Sequence, residues 1–166
     1  MSGEVTAYLL LGSNLGDRAA HLAGARAQLA TAGTLLAASA IYETAAWGRE
    51  DQPAYLNQAL ALRTGLAPAA LLAAGQAAEH AAGRQRREQW GSRTLDVDIL
   101  LFGMAEISQP GLVVPHPRLA ERRFALQPLA EIAAPAPVPG LGQSVADLLA
   151  RCADPLPVRR WEPAAR

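Results

Sequence analysis

The sequence predicts an α+β sandwich, in which helices pack against a sheet. Short apolar runs typical of buried strands alternate with longer segments that carry helix-start and helix-stop residues. Their order is strand, helix, strand, strand, helix, strand, which is the order of a ferredoxin-like sandwich. A chain of 166 residues suits one domain that buries roughly 70% of its unfolded surface. We therefore treat residues 1–166 as a single domain.

The first half of the chain contains three predicted strands and one helix. The strands are Thr6–Leu11, Thr34–Tyr42 and Tyr55–Arg63, and the helix is Arg18–Thr31. Asp17 suits the N-cap of that helix, because its side chain can accept a hydrogen bond from the first turn. A polar loop from Glu43 to Pro53, with glycine and proline breakers, joins the second strand to the third, and these two strands are expected to be antiparallel.

The second half contains one longer helix, one strand and two shorter helices. In chain order these are a helix at Ala69–Ala82, a strand from Leu95 to Phe102, and helices at Phe124–Ile132 and Ser144–Cys152. Pro68 suits the first turn of the longer helix, and Gly83 is a good stop for it. Gly103 ends the strand. Residues 154–166 are expected to form a loose tail.

Composition and charge argue against several classes of function. The formal net charge is zero, which argues against broad nucleic-acid binding. No run of about 18 apolar residues is free of polar interruption, so no transmembrane helix is expected. Met1–Glu4 lacks the basic start of a signal peptide, and Cys152, the single cysteine, cannot form an internal disulfide. We expect a cytoplasmic monomer that binds neither nucleic acid nor membranes.

All fifteen basic residues other than histidine are arginine. The absence of lysine excludes a P-loop lysine, a Schiff-base lysine and a lysine general base.

The residues best suited to catalysis are concentrated in Arg84–Phe102. Four arginines and a tryptophan surround a glycine turn there, and an apolar strand follows. Asp96 and Asp98 would share one strand face, with Cα atoms roughly 7 Å apart. Paired carboxylates suit hard divalent cations, and arginines suit phosphate, so the stretch predicts phosphoryl transfer. A second interpretation is an edge strand whose acids discourage aggregation, preceded by a solvated basic loop.

The other face of the same strand is predicted to enter the core. Its members alternate with the aspartates and are apolar: Leu95, Val97, Ile99 and Leu101.

Two further segments have both a structural and a functional interpretation. Gly12-Ser13-Asn14 lies between a strand and a helix, where a turn can hold an anion or simply connect the two elements. His116 lies between Pro115 and Pro117, and a lone histidine in such a stiff turn is more often structural than catalytic.

The motif Arg-x-Arg followed by Trp-Gly-x-Arg-Thr-Leu-Asp-x-Asp-Ile, within Arg84–Ile99, resembles the signature of 6-hydroxymethyl-7,8-dihydropterin pyrophosphokinases, which are folate-pathway enzymes. The resemblance extends from Tyr8 to about Ile132. It implies a ferredoxin-like fold with a mainly antiparallel sheet, flanking helices and three mobile loops at one end. It also implies transfer of pyrophosphate from ATP to the hydroxymethyl group of a reduced pterin, with release of AMP and with two Mg²⁺ ions.

The resemblance assigns catalytic and ATP-binding roles to individual residues. Asp96 and Asp98 correspond to the metal-binding aspartates, and Arg84 and Arg93 to arginines that stabilise the transferring group. The positions that correspond to the surroundings of ATP are Gln76, Glu79, Arg86, Trp90, Arg93, Ile99, His116 and Arg122.

The resemblance also implies a pterin pocket. Tyr55 and Phe124 correspond to the two aromatic side chains that stack on the ring, and Asn57 to a side chain that offers both a donor and an acceptor. The backbone of Thr44, Ala45 and Trp47 corresponds to the loop that contacts the edge of the pterin.

The chain departs from the family pattern at two positions. Ala46 stands where the family usually has proline, so the pterin loop is expected to be less rigid. Gln89 stands where arginine is common, and Arg87 could supply the contact that this change removes.

Two other functional classes stay open. A catalytically idle binding module would keep the fold and the ring pocket but not the ATP turnover. A two-metal nucleotidyltransferase also pairs Gly-Ser with Asp-x-Asp, although there the two motifs lie close together, whereas Ser13 is far upstream of Asp96.

Overall fold

The structure, a computed structural model, describes residues 3–45, 51–83 and 94–163. The strands are β1 Val5–Ser13, β2 Thr34–Ala38, β3 Tyr42–Thr44, β4 Tyr55–Thr64, β5 Asp96–Phe102, β6 Ile107–Gln109, β7 Leu112–Val114, β8 Pro137–Val138, β9 Gln143–Ser144 and β10 Arg159–Arg160. The helices are α1 Arg18–Leu29, α2 Pro68–Ala81, a 3₁₀ turn Leu119–Glu121, α3 Arg123–Ala133 and α4 Val145–Arg151.

One main sheet organises the described residues, in the strand order β10–β3–β4–β1–β5, with β2 paired to the other end of β4. Every pairing in it is antiparallel. The helices cover both faces, because residues of β1 alternate between two apolar clusters. Leu9 and Leu11 belong to the cluster shared with α1 and α2, whereas Leu10 belongs to the cluster shared with α3 and α4. The predicted α+β fold and element order are therefore confirmed.

The helix ends agree with the local sequence signals. Asp17 Oδ1 accepts a hydrogen bond from Ala20 N at 3.1 Å, as expected of an N-cap. Pro68 lies in the first turn of α2. Ser144 and Asp147 form a reciprocal capping box at the start of α4. No helix within the described ranges is long and apolar enough to cross a membrane.

The predicted second strand, Thr34–Tyr42, is in fact divided into β2 and β3. Ala38 pairs with Leu60 and Tyr42 pairs with Asn57, so the chain places one extra residue opposite β4 between these two pairs. Ser39 occupies this bulge, and its Oγ accepts a hydrogen bond from Ala59 N at 3.0 Å. A side-chain oxygen thus replaces a backbone acceptor and interrupts the ladder.

The predicted alternation along β5 holds for its first half only. Val97 and Ile99 belong to the cluster beneath α1 and α2, but Leu101 belongs to the opposite cluster. The register between β1 and β5 shifts between Tyr8 and Leu9, so that Leu9 pairs with Ile99 but Tyr8 pairs with Leu101. A bulge reverses the alternation beyond it, which is why the prediction for Leu101 was wrong.

Residues 154–163 are ordered, contrary to the predicted loose tail, whose last three residues lie outside the described ranges. Arg159 and Arg160 pair with β3, and Trp161 N donates a hydrogen bond to Ile41 O at 2.8 Å. Asp154 is 7% exposed. Its Oδ2 accepts from Arg123 N at 3.2 Å and its Oδ1 from Leu156 N at 3.0 Å, which ties the segment to the start of α3.

We expect Asp154→Ala to lower the free energy of unfolding by about 2 kcal/mol, because it leaves the partly buried Arg123 N–H without its acceptor. It also removes a negative charge from the N-terminus of α3. Urea denaturation followed by circular dichroism measures the change. Glu162→Ala, at an exposed position of the same segment, is the matched control and should leave the midpoint unchanged. Equal midpoints for both variants would contradict this role for Asp154.

Candidate active site

Four strands align a row of residues across one face of the sheet. Tyr42 of β3 pairs with Asn57 of β4, Asn57 pairs with Gly12 of β1, and Gly12 pairs with Asp96 of β5. Directly paired residues point to the same face. Asn57 and Asp96 therefore flank the backbone of Gly12 from opposite sides.

Because Gly12 has no side chain, the side chains of neighbouring residues can occupy the space beside its backbone. A Cβ atom at this position would lie 2.9 Å from Asn57 Oδ1 and 3.6 Å from Tyr55 Cδ1. Any side chain there would therefore displace the Asn57 amide or the Tyr55 ring. The glycine of the Gly-Ser-Asn turn thus has a steric role beside the predicted pocket.

Asp98 lies on the same face as Asp96, one ladder step away, because Leu10 pairs with Asp98 and Gly12 with Asp96. The predicted shared face of the two carboxylates is therefore confirmed. Leu10 belongs to the cluster that packs under α3. The aspartates consequently face the layer that contains α3 and the turn before it.

Two side chains of this layer, Arg122 and His116, lie within electrostatic reach of the carboxylate pair. Burial lowers the pKa of Arg122, while the negative charges of Asp98 and Asp96 raise it. His116 experiences the charges of Arg122 and Asp96, and also that of Arg118. The segment that brings these side chains to the sheet is fixed to β5, because His116 N donates a hydrogen bond to Leu100 O at 3.0 Å. Opposite charges thus meet at one edge of the sheet.

His116 is neutral, and its hydrogen bond defines the tautomer. Burial, with the nearby charges of Arg122 and Arg118, lowers its pKa to about 4, and the charge of Asp96 opposes this shift. Nδ1 accepts a hydrogen bond from Arg118 N at 3.2 Å. Nε2 therefore carries the proton and is a neutral donor, suited to an anionic ligand.

The start of α3 places an aromatic ring beside this cluster. The guanidinium carbon of Arg122 lies 5.5 Å from the centroid of the Phe124 ring, within cation–π distance. The helix is held against the sheet by Glu131, which accepts hydrogen bonds from Tyr42 Oη at 2.6 Å and from Ala40 N at 2.8 Å. These contacts bring α3, which carries Phe124, against the sheet, which carries Tyr55.

Two buried polar atoms of the row have no hydrogen-bond partner in the part of the chain that the structure describes. They are Thr44 Oγ1 and Asn57 Nδ2, and both residues are at most 3% exposed. An unsatisfied buried polar group costs about 1–3 kcal/mol. A polar ligand that pairs with these atoms would remove this cost, so the two atoms indicate a binding position.

A network outside the row anchors the segment that leads into β4. Asn14 Nδ2 donates to Pro53 O at 3.0 Å, and one nitrogen of Arg18 donates to Ala54 O at 3.0 Å. The same nitrogen lies 2.7 Å from Glu43 Oε2. Arg18 therefore links both ends of the loop between β3 and β4, and sequence reasoning missed it. Its position, one residue after an N-cap, resembles that of any surface arginine.

Three predicted ATP-side residues lie on α2 and on the opposite face of β5. Glu79 is 5% exposed and Ile99 is 7% exposed, and Ile99 belongs to the cluster beneath α1 and α2. Glu79 Oε2 accepts a hydrogen bond from Val97 N at 2.9 Å. Gln76 is exposed on α2. Their contacts with ATP stay predictions.

Several predicted site residues lie outside the described residues. They belong to two segments of the chain: Trp47 with Ala46, and Arg84, Arg86, Arg87, Gln89, Trp90 and Arg93. Arg118, which sequence reasoning did not select, lies near His116 within the described part. In the sequence, Arg118 is distinguished only by lying in the arginine-rich segment Arg118–Arg123.

The donor set at Asp96 and Asp98 fits Mg²⁺. No group of three or more histidine, cysteine, aspartate or glutamate side chains that could hold a metal occurs in the described ranges. Two carboxylates on one face are nevertheless sufficient for Mg²⁺, which keeps several waters and takes its remaining ligands from phosphates.

Comparison with known proteins gives a consistent result. A family model described as 7,8-dihydro-6-hydroxymethylpterin-pyrophosphokinase (HPPK) matches residues 8–134. The chain is 48% identical over 158 residues to the 2-amino-4-hydroxy-6-hydroxymethyldihydropteridine pyrophosphokinase of Methylorubrum extorquens, which covers 94% of this chain and 98% of the relative. It is 49% identical over 128 residues to the protein of the same name from Bacillus subtilis, which covers 76% and 77%.

A solved structure of an HPPK-DHPS protein in complex with substrates shares the fold. It superimposes with a TM-score of 0.71 at 12% identity, and the match covers 90% of this chain and 43% of that one. The chain therefore spans less than half the length of this structural relative. At this identity the likeness shows the fold alone, and it confirms the predicted ferredoxin-like architecture.

The pKa of His116 predicts a pH-dependent contribution to stability. As the pH falls from 6.5 towards 4, the unfolded chain binds a proton at this ring and the folded chain does not, so the folded state loses up to about 1.4 kcal/mol per pH unit. Above pH 6.5 this contribution is complete. Urea denaturation of the wild type and of His116→Gln between pH 7.5 and 4.5 should show the stability difference shrinking in this window.

Nitrogen NMR of the wild type provides an independent readout. The His116 ring should keep a neutral, Nε2-protonated signature from pH 8 to pH 5, with exposed His80 as a reference in the same spectrum. A His116 ring that titrates near pH 6.5 would contradict the described environment.

Proposed function

We propose that this chain, which belongs to the 7,8-dihydro-6-hydroxymethylpterin-pyrophosphokinase family, transfers the outer two phosphates of ATP to the hydroxymethyl group of 6-hydroxymethyl-7,8-dihydropterin. The products are the pterin diphosphate and AMP, in folate biosynthesis. The two relatives named above are pyrophosphokinases of this pterin. The observation that carries the proposal is the single sheet face that presents a carboxylate pair next to unsatisfied buried polar atoms.

Asp96 and Asp98 are proposed to hold two Mg²⁺ ions, whose remaining ligands are ATP phosphates and water. Bound Mg²⁺ would neutralise negative charge on the phosphates. Arg122 and the neutral Nε2–H of His116 supply donors on the α3 side of the same edge. Arg84 and Arg93, outside the described residues, are proposed to stabilise the transferring group. The remaining proposed ATP contacts are Gln76, Arg86, Trp90 and Ile99, while the buried Glu79 is proposed to act on the ATP side of the site without touching the nucleotide.

The proposed reaction is a displacement at the β-phosphorus. The pterin hydroxyl oxygen forms a bond to this phosphorus, the bond from it to the oxygen bridging the α-phosphate breaks, and AMP leaves with that electron pair. The hydroxyl proton is released. Fixed cationic donors stabilise the charge that develops on the phosphates, without reorganisation at the moment of reaction. The absence of lysine means that arginines must provide this charge.

The pterin is proposed to bind along the row that Asn57 shares with Gly12. The ring is flat, with apolar faces and a polar edge, and suits stacking between Tyr55 and Phe124. Asn57 Nδ2 and Thr44 Oγ1, which have no partner in the described part of the chain, would pair with the polar edge. The backbone of Ala45 and Trp47 is proposed to complete this edge contact.

We further propose that residues 1–166 form one pyrophosphokinase domain that acts as a cytoplasmic monomer. Its substrates, ATP and the reduced pterin, are both small molecules. The neutral net charge supports the absence of a nucleic-acid partner.

Product analysis tests the reaction. The protein is incubated with Mg²⁺, γ-labelled ATP and 6-hydroxymethyl-7,8-dihydropterin, and AMP should accumulate one-for-one with a labelled pterin diphosphate. ADP with a pterin monophosphate would indicate an ordinary kinase, and free pyrophosphate with a nucleotidylated pterin would indicate a nucleotidyltransferase. Pterin binding without turnover would indicate an idle binding module. Asp98→Asn should fold normally and lose nearly all turnover.

Asn57→Leu tests the pterin pocket, because it keeps the branching and the heavy-atom count of the side chain and removes both the donor and the acceptor. We expect the Kd of the pterin to rise about 10- to 100-fold, from the loss of hydrogen bonds worth about 1–3 kcal/mol. The Kd of ATP should stay within about twofold, since Asn57 lies on the pterin side of the row. Isothermal titration calorimetry measures both constants.

Gln58→Leu is the matched control. Gln58 is the next residue of β4, is 6% exposed, and faces the opposite side, where its Oε1 accepts from Arg26 at 2.6 Å. This variant should lose stability but keep its pterin affinity. Equal loss of pterin and ATP affinity in Asn57→Leu would show a general packing role instead.

A further inference from the structure

A buried carboxylate contacts the backbone between the two proposed metal ligands. Glu79 of α2 is 5% exposed, and its Oε2 accepts a hydrogen bond from Val97 N at 2.9 Å. Val97 separates Asp96 from Asp98. Glu79 therefore binds the backbone N–H of the residue that lies between the two aspartates.

The position of β5 explains why this bond matters. Within the described residues β5 is the last strand of the main sheet and pairs with β1 on one side only. Successive N–H groups of a strand point to opposite edges, and that of Val97 points to Glu79 rather than to β1. The Glu79 carboxylate thus replaces a neighbouring strand at the free edge, at the position where the aspartates begin.

A second contact between α2 and Val97 is independent of the first. A Cβ atom on Gly75, one helical turn before Glu79, would lie 3.0 Å from Val97 Cγ1 and 3.4 Å from its Cβ. The glycine therefore lets the helix backbone approach the Val97 side chain closely. The helix thus contacts Val97 at two points: Gly75 lies against its side chain, and Glu79 binds its backbone N–H.

We propose that Glu79 is a positioning residue, which sets the orientation of Asp96 and Asp98 through Val97 N and thereby the Mg²⁺ affinity of the pair. The inference rests on the proposed function, because it needs the aspartates to bind Mg²⁺. It gives Glu79 an indirect role, in place of the adenosine contact that the sequence resemblance implies. Groups behind metal ligands fix ligand geometry, and their loss typically costs about 10- to 100-fold in metal affinity or activity.

Two substitutions separate these roles. Glu79→Leu removes the acceptor, whereas Glu79→Gln keeps an oxygen that can accept from Val97 N. The readout is calorimetric binding of α,β-methylene-ATP, which lacks the bond that breaks, at a series of Mg²⁺ concentrations. In Glu79→Leu the Mg²⁺ concentration for half-maximal binding should rise about tenfold or more, and kcat should fall in parallel. At saturating Mg²⁺ the nucleotide Kd should return to within about twofold of wild type.

Hydrogen exchange at the Val97 amide reports the contact without turnover. Exchange should accelerate in Glu79→Leu and stay slow in Glu79→Gln, which should also keep wild-type Mg²⁺ dependence. Leu29→Ala, in the buried end of α1 (1% exposed), is the control for lost stability. It should lower the melting temperature without changing the Mg²⁺ requirement. Gly75→Ala should raise the Mg²⁺ requirement, because its new methyl group displaces Val97.

Two results would overturn the inference. One is a nucleotide Kd that is raised in Glu79→Leu at every Mg²⁺ concentration, as a direct nucleotide contact requires. The other is a Glu79→Gln variant that is as defective as Glu79→Leu. The proposed function is tested separately by Asp98→Asn: if that variant keeps wild-type Mg²⁺ dependence, the metal assignment itself fails, whatever the Glu79 variants show.

Discussion

The pairing of β1 with both β4 and β5 is the constraint on which the rest of the structure depends. Its register places Gly12 between Asn57 and Asp96, and thus brings a proposed pterin-binding side chain and a proposed metal-binding side chain to the same backbone segment. Both faces of β1 are buried in apolar clusters. A one-residue slip would therefore move leucines into the site and polar groups into the core, so that packing energy fixes the geometry of the site.

The two helical layers serve the sheet in different ways. The α3 layer provides a positive charge from Arg122 and a neutral donor from His116, which face the aspartates across the edge of the sheet. The α1 and α2 layer supports the sheet from the other face, where Glu79 accepts a hydrogen bond from Val97 N. If α2 supports the strand that carries the aspartates, the buried carboxylate of Glu79 on this helix could affect phosphate binding on the other face of the sheet.

Much of the fold and the central pair of aspartates could be predicted from the sequence. Strand alternation placed Asp96 and Asp98 on one face, and capping residues located the helices. The sequence could not show the bulges at Ser39 and between the Tyr8 and Leu9 pairings, because a bulge depends on the partner strand and leaves no local signal. The ordering of the tail by Asp154 also depends on a distant partner, at the start of α3. The family motif indicated which side chains to examine, but it did not distinguish a ligand contact from a backbone contact at Glu79.

The double contact of Arg18 has a consequence for evolutionary change in the loop between β3 and β4. Because one side chain outside the loop binds Glu43 at its beginning and Ala54 at its end, the distance between the two loop ends does not depend on the residues between them. Closing a loop whose ends are already fixed requires little additional entropy when its length changes. A change in the length of this loop would thus leave Tyr55 in its place at the start of β4.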